Sequence, residues 1–270
     1  MAQINAKDVM KLRNATGLAM MECKKALTEA EGDFEQAETL LRLKLKGKMD
    51  KRTERAAAEG RIAIAERGNS LVIAEIRAET DFTAKNDQFV EMAQKIAELA
   101  LDADDGAVAP TEEMTAAVDN IRISTGENCA IARICKRTNA SGKFGTYIHH
   151  DGKTAAIVEA EGDASDEILR DVCMHITAGV PTVPLGITAD DVPAEAAEKE
   201  KNFRLQQAME SGKPKEIAEM MVKGGMRKYY EDVALTLQPF VKDPSKTVQD
   251  VIGSGTTIKS FQRWMVGEEA

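Results

Sequence analysis

A chain of 270 residues, 43% hydrophobic and 30% charged, is too apolar to be disordered throughout and too long for one small domain, so two or three compact units are expected. Its formal net charge of −9 argues against a general nucleic-acid binder, which needs a basic face to neutralise phosphates. No uninterrupted apolar run approaches the ~18 residues of a membrane helix. The opening MAQINAKDVMKLRNATG also lacks the apolar segment of a signal peptide, and a soluble, cytoplasmic protein is the expectation. Cys23, Cys129, Cys135 and Cys173 include no CxxC pair, and His149, His150 and His175 complete no zinc-spaced cluster. Buried free thiols in a reducing compartment follow, with no metal and no cofactor expected.

Residues 4–45 read as three short helices. Asn5 can cap the first, with Val9 and Leu12 on one face, and Thr16-Gly17 ends it. Met20, Cys23, Ala26, Leu27 and Ala30 then recur at helical spacing. Gly32-Asp33 breaks the chain, and Asp33 with Gln36 makes a capping-box pattern for a third helix carrying Phe34, Ala37, Leu40 and Leu41 inward. Such a bundle is near the lower size limit of independent stability. Residues 42–61 are rich in Lys and Arg, from Arg42 and Lys44 to Arg55 and Arg61. This strip reads either as an RNA contact or as a solvated linker, and the lack of interleaved aromatic side chains favours the linker.

A pattern of strand, tight turn, strand and helix then occurs twice. Residues 61–66 and 71–77 are strand-like and joined by Arg67-Gly68-Asn69-Ser70, with a helical stretch over 87–101. Residues 144–149 and 155–159 pair across His150-Asp151-Gly152-Lys153, with a helix over about 166–178. Two related α+β subdomains are inferred, each packing a helix on a small antiparallel sheet. Residues 129–135 read as an additional strand near their junction, and 102–111 as a loop by composition. Beyond Pro193 a charged helix runs up to Ser211, Gly212-Lys213-Pro214 turns, and a second helix returns to about Leu235. At ~1.5 Å per residue such an arm reaches ~28 Å and should project. A short helix over 248–252 and a final strand over 257–266 complete the chain. The domain reading is therefore 1–54 for the helical bundle and basic linker, 55–140 for the first subdomain, and 141–270 for the second, with the hairpin inserted at about 190–235.

Catalytic signatures are missing. The segment from Gly253 to Ser260 lacks the Gly before Lys259 that a phosphate loop needs, and Ile258 is too bulky for backbone to approach phosphate there. There is no GxSxG, HExxH or strand-linked GxGxxG. His149-His150 could be a metal or acid–base pair, but no third ligand lies nearby in sequence and a hairpin position is the favoured reading. The unusual segment runs from Thr80 to Asp87, between strand and helix, with Asp81 beside Phe82. Either Asp81 or Thr83 caps the helix with Phe82 tucked beneath it, or Phe82 is an anchor aimed at a pocket on a partner.

Thr80-Asp81-Phe82-Thr83-Ala84-Lys85-Asn86 resembles the TDFVA-K/R-N signature of the elongation factor Ts family. The run Thr16-Gly17-Leu18-Ala19-Met20-Met21-Glu22-Cys23-Lys24-Lys25-Ala26-Leu27 resembles that family's TGAGMMDCKKAL. Gly126-Glu127-Asn128, the stretch from Ser211 to Glu219, and Leu237-Gln238-Pro239-Phe240-Val241 followed by Pro244-Ser245-Lys246-Thr247-Val248 are similar too, in family order and across nearly the whole chain. Thr83 departs from the usual valine, Arg77-Ala78 from a frequent Asn-Cys, His150-Asp151 from a shorter hairpin, and the chain ends at Ala270 without the C-terminal helical module of longer members.

The resemblance implies a guanine nucleotide exchange factor, not an enzyme. Its implied fold is an N-terminal three-helix ubiquitin-associated-like bundle, two related α+β core subdomains with small antiparallel sheets, and a protruding helical dimerisation hairpin. The implied partner is the GTPase elongation factor Tu, with no direct nucleic acid or membrane, and a homodimer or 2:2 complex through the hairpin. Thr80, Asp81, Phe82 and Thr83 would dislocate the partner's magnesium, Phe82 entering an apolar pocket and Asp81 supporting the shifted geometry. Leu12, Arg13, Met20, Met21, Lys24, Gly126, Glu127, Asn128 and His149 would contact the partner. Met20 alone is equally well read as packing inward.

Overall fold

The computed structural model describes residues 4–16, 18–49, 54–210 and 214–268, with residues 42 and 44–49 as helix backbone. The fold is mixed helix and sheet with small antiparallel sheets behind an N-terminal helical stretch. It forms two compact units: one runs to Arg137 and takes back the chain from Val266, the other is Thr138–Met265. Where the sequence sets 1–54 and 55–140 apart, compactness groups them in one unit.

Three helices open the first unit: α1 (Ala6–Thr16), α2 (Met20–Glu29) and α3 (Phe34–Met49). Asn5 Oδ1 accepts the Asp8 amide at 2.9 Å, and Asp33 Oδ1 accepts the Gln36 amide at 2.9 Å, so orphan donors at two helix starts are satisfied locally. After α2, Gly32 at φ 93° lets its amide reach back to the Leu27 carbonyl at 2.9 Å, closing the helix. Val9, Leu12, Leu18, Cys23, Ala26, Leu27, Ala37 and Leu41 form the bundle's core, and Ile123 packs against it. Gly17, residues 50–53 and most side chains of the basic strip lie outside the described residues.

The bundle's core and the core of the following sheet are separate apolar clusters, with Ile123 touching the former. A chain lacking residues 1–53 should therefore keep a cooperative thermal transition, since what it newly exposes is one partly buried isoleucine and its surroundings. Circular dichroism melting checks this, and a broad, non-cooperative melt would show that the bundle is needed for the core to fold.

Strands β1 (Glu59–Arg67) and β2 (Ser70–Ala78) pair antiparallel, Arg67 opposite Ser70, around Gly68 at φ 63°. The chain then forms α4 (Asp81–Ala84), α5 (Asp87–Leu99), β3 (Gly106–Ala107), α6 (Glu112–Thr125) and β4 (Cys129–Thr138), giving a sheet of order β1-β2-β4-β3. Residues 106–107 thus pair where composition indicated loop, and α6 occupies a stretch to which the sequence reading assigned no element. Its signals are local all the same: Thr111 caps the Met114 amide at 3.3 Å, Met114, Val118 and Ile121 fall at helical spacing, and Gly126 ends it at φ 74°. Phe89, Met92, Ala93 and Ile96 of α5 join Met114, Val118 and Ile121 of α6 and Val72, Ala74 and Ile76 of β2 in one core.

Glu75 is a charged residue with no exposed surface. Its carboxylate accepts from Arg77 Nε at 2.8 Å, Arg133 Nε at 2.7 Å and the Gly267 amide at 3.0 Å. Three donors offset the desolvation of this buried charge, and the third ties the end of the chain into the first unit.

In the second unit β5 (Lys143–Ile148), β6 (Thr154–Gly162) and β9 (Thr256–Met265) form an antiparallel sheet of order β5-β6-β9, with α7 (Asp166–Ala178) packed against it. Gly145 lets β5 approach α7: a Cβ there would lie 2.6 Å from Leu169 Cβ and 2.8 Å from its carbonyl carbon. Helices α8 (Ala194–Glu210) and α9 (Lys215–Val233) form the helical hairpin, and the Gly212-Lys213 part of its turn lies outside the described residues. The short ribbon β7 (Pro239–Phe240) and β8 (Asp243–Thr247) follows, then α10 (Val248–Ile252), where Thr247 and Asp250 form a complete capping box.

The hairpin carries its own apolar seam of Ala208, Ala218, Val222 and Met226, distinct from the core that α7 shares with the sheet. Its base is tied by backbone bonds from Leu185 to Val233 at 2.8 Å, Leu235 to Gly186 at 2.9 Å and Thr236 to Ile187 at 2.9 Å. Replacing residues 198–228 by a short loop should leave the melting temperature of the body within a few degrees of the parent, measured by calorimetry. Loss of the cooperative transition would show that the arm is part of the core.

Candidate functional site

The site is built where β2 runs out. Thr80, at φ −124° and ψ 155°, is the last extended residue, and its Oγ1 accepts the Thr83 amide at 3.3 Å, which starts the single turn α4. Asn86 restarts the chain as α5 by accepting the Gln88 amide at 2.9 Å. Neither Asp81 nor Thr83 is a cap, contrary to one of the two sequence readings. Capping falls to Thr80 and Asn86, because those residues have extended backbone and a side-chain oxygen within reach of a free amide.

Within the turn, burial alternates sharply. Thr83 and Ala84 face inward and are buried, whereas Phe82 is 84% exposed. The staple-like packing of Phe82 beneath the helix is therefore not what the chain adopts. By staying in water the ring forgoes the roughly 1.5–3 kcal/mol that burying a Phe side chain contributes. Asp81 lies beside it and accepts from Lys85 Nζ at 2.7 Å, a solvent-exposed pair.

A second strand end braces the turn. Gly126 ends α6 in the left-handed region, and its amide bonds the Arg122 carbonyl at 2.9 Å. This directs Glu127 at Thr80: Oε1 accepts the Thr80 hydroxyl at 2.8 Å, and Oε2 accepts the Thr80 amide at 3.1 Å. In the opposite sense, Glu79 Oε1 accepts the Asn128 amide at 2.6 Å, and Glu79 also pairs with Arg55 at 3.5 Å. Asn128 Nδ2 donates to the Arg55 carbonyl at 2.7 Å. Glu79 was not singled out by sequence, where an acid directly before the Thr-Asp-Phe run was the available signal, and Arg55 stood there only as part of the basic strip.

The remaining expected contacts scatter. Arg13, Met20, Met21 and Lys24 are exposed on the bundle, Met21 at 66%. Met20 therefore does not pack inward as its spacing allowed. Leu12 is fully buried in the bundle's core, facing the apolar centre of three helices, and Asn128 is 5% exposed, its amide donating to a backbone carbonyl. Gly126 and Glu127 are partly covered.

His149 and His150 lie in the second unit, ring centroids 4.1 Å apart, at the turn between β5 and β6. His149 Nδ1 is 3.1 Å from Asp151, and the His149 amide donates to the Thr154 carbonyl at 2.8 Å. Burial works to raise the Asp151 pKa, but the Lys153 amide and His149 outweigh it and hold the carboxyl below its usual range. Among the described residues no group of three or more His, Cys, Asp or Glu is placed to hold a metal ion, and no helix is long and apolar enough to cross a membrane.

The two other titratable candidates are interior. Desolvation raises the Cys129 thiol to about 12, which leaves it un-ionised near neutral pH. Desolvation also lowers the pKa of buried His175, against the Gln238 bond, which favours the charged form. Its Nδ1 accepts from the Val241 amide at 3.2 Å, so Nε2 carries the proton and donates to Gln238 Oε1 at 2.9 Å. Both serve the folded framework.

Fold and turn together define a two-unit α+β protein with a capped, solvent-facing aromatic–acid turn as its most distinctive surface feature. A family model described as "Elongation factor TS" matches residues 79–268, from the residue before that turn to the returning chain end. The chain is 41% identical to "Elongation factor Ts" of Alkalilimnicola ehrlichii over 275 residues, covering 98% of this chain and 92% of the relative. It is likewise 41% identical to the proteins of that name from Cupriavidus taiwanensis and Burkholderia thailandensis, covering 99% of this chain and 92% of each. The chain belongs to the elongation factor Ts family.

Proposed function

We propose that this chain is a cytoplasmic guanine nucleotide exchange factor for elongation factor Tu, and that it acts without catalytic side chains. The carrying observation is Phe82, 84% exposed on a turn that Thr80 caps at its start and that runs directly into the Asn86 cap of α5. Such a ring is pre-organised to enter an apolar pocket, so little ordering cost remains at docking. Asp81 travels with it on the same turn and supports the displaced geometry of the partner's phosphate and magnesium site. The magnesium is the largest local charge holding GDP there, so deforming its surroundings is enough to loosen the nucleotide.

Arg13, Met20, Met21 and Lys24 on the bundle, and His149 on the second unit, supply separate contacts to the same partner. The α8–α9 hairpin is an interaction arm for a second copy of the chain or for the partner. Exchange by this route is a coupling of two binding equilibria. By whatever factor the protein weakens GDP binding, GDP weakens binding of the protein.

The test is release of fluorescently labelled GDP from purified elongation factor Tu, chased with unlabelled nucleotide, with and without this protein. Release should accelerate, and GDP affinity at saturating protein should fall by roughly 5- to 150-fold. An unchanged release rate at protein concentrations well above that of the GTPase would overturn the proposal.

A further inference from the structure

We propose that Glu127 is a positioning residue: it acts on the partner through Thr80, by locking the cap that holds the Asp81–Phe82 turn, and is not itself a docking contact. The inference rests on the docking role assigned to that turn.

The geometry is a reciprocal brace between two chain segments 47 residues apart. Glu127 takes both the amide and the hydroxyl of Thr80, at 3.1 and 2.8 Å, while Glu79 takes the amide of Asn128 at 2.6 Å. Each segment thus lends a carboxylate to the backbone of the other, at the end of β2 and the start of β4, which are neighbours in the sheet. Since the Thr80 hydroxyl gives its proton to Glu127, its lone pairs are left facing the Thr83 amide, 3.3 Å away. One hydroxyl therefore donates to a carboxylate and accepts from the turn, and the two bonds polarise each other in the same direction. Without Glu127 the hydroxyl has no reason to keep its hydrogen away from the turn, and the cap weakens.

Apart from this, the four-residue helix is held by a few backbone bonds, from Ala84 to Thr80 at 3.1 Å, Lys85 to Asp81 at 3.0 Å and Asn86 to Thr83 at 3.1 Å. Isolated turns of helix are unfavourable because several dihedrals are fixed for one hydrogen bond. Thr83 and Ala84 anchor the inner side by burial, but Asp81 and Phe82 face solvent, Asp81 pairing with Lys85. Glu127 reaches neither of them; its bonds go to Thr80. Its carboxylate is consumed by the chain's own donors, which is the state of a support.

The experiment pairs Glu127→Ala, Thr80→Val and their double variant in the full chain, with the milder Glu127→Gln and Thr80→Ser as controls for folding. Amide hydrogen exchange in the free protein reads the cap directly. Protection of the Thr83 and Ala84 amides should fall by about tenfold in Glu127→Ala, the scale of one charge-assisted hydrogen bond. Thr80→Ser should retain most of it.

In stimulated GDP release, Glu127→Ala and Thr80→Val should each raise the half-saturating concentration by about tenfold. The double variant should be no worse than the stronger single one, because both break the same chain of bonds. Unchanged protection in Glu127→Ala, or additive losses in the double variant, would overturn the proposal, the second outcome making Glu127 an independent contact. Phe82→Ala, run alongside, separates the two ideas. If that variant releases GDP normally the docking role falls, while the protection measurement still decides the brace.

Discussion

Phe82→Ala should leave the free protein's denaturant midpoint nearly unchanged and cut stimulated GDP release by about thirtyfold at limiting concentration, which corresponds to roughly 2 kcal/mol of complex formation. The asymmetry follows from where the ring is. At 84% exposure it contributes almost nothing to the core, and surface substitutions away from special backbone positions usually stay within about 0.5 kcal/mol. A pocket on the partner would supply the burial that this chain does not. Asp81→Ala should divide the same way, since its pair with Lys85 is solvent-exposed and such pairs contribute about 0–1 kcal/mol. Denaturant melting of the free variants, set beside release of labelled GDP, measures both halves. A large loss of stability with normal exchange by the folded fraction would show that the ring serves the fold.

Seven residues on, the opposite is expected. Phe89 in α5 has no exposed surface and belongs to the cluster shared by β2, α5 and α6. Phe89→Ala removes a ring from a close-packed interior that can collapse only in part, and should cost about 3–5 kcal/mol of stability. That is a large share of the 5–15 kcal/mol by which folded proteins are typically stable. Molecules that remain folded should exchange nucleotide at close to the parent rate, because Phe89 has no exposed surface to offer a partner. Urea titration gives the first quantity, and GDP release normalised to the folded fraction gives the second. A stability loss under about 1 kcal/mol would contradict the packing described for this helix.

These two phenylalanines show where sequence reading reaches and where it stops. Phe89 falls on a periodic apolar face with Met92, Ala93 and Ile96, and helical spacing alone places it inward. Phe82 has no periodicity around it, so composition left two answers open, and burial of Thr83 and Ala84 in its stead removed the one in which the ring packs beneath the helix. The bundle shows the same division. Its three helices and two of their caps were legible from apolar spacing and from Asn5 and Asp33. Leu12 sits one residue before exposed Arg13 and yet faces the apolar centre of the bundle, a difference set by which side of α1 meets the other two helices.

What the sequence by itself determined is local: the two hairpins from their glycine turns, the helices from their periods and caps, the pairing of α8 with α9, and the α+β class that follows from their order. Helix α6 is stated in the chain in the same local way, by its Thr111 cap, the spacing of Met114, Val118 and Ile121, and the Gly126 end. The tertiary structure alone decided the rest. It brought Glu127 to Thr80 across 47 residues, placed Asn128 on the Arg55 carbonyl across 73, and returned Gly267 to Glu75 across 192. Such bonds satisfy polar groups that folding has removed from water, and which donor reaches which acceptor depends on strand order and on what the core has already buried. No spacing along the chain encodes that choice.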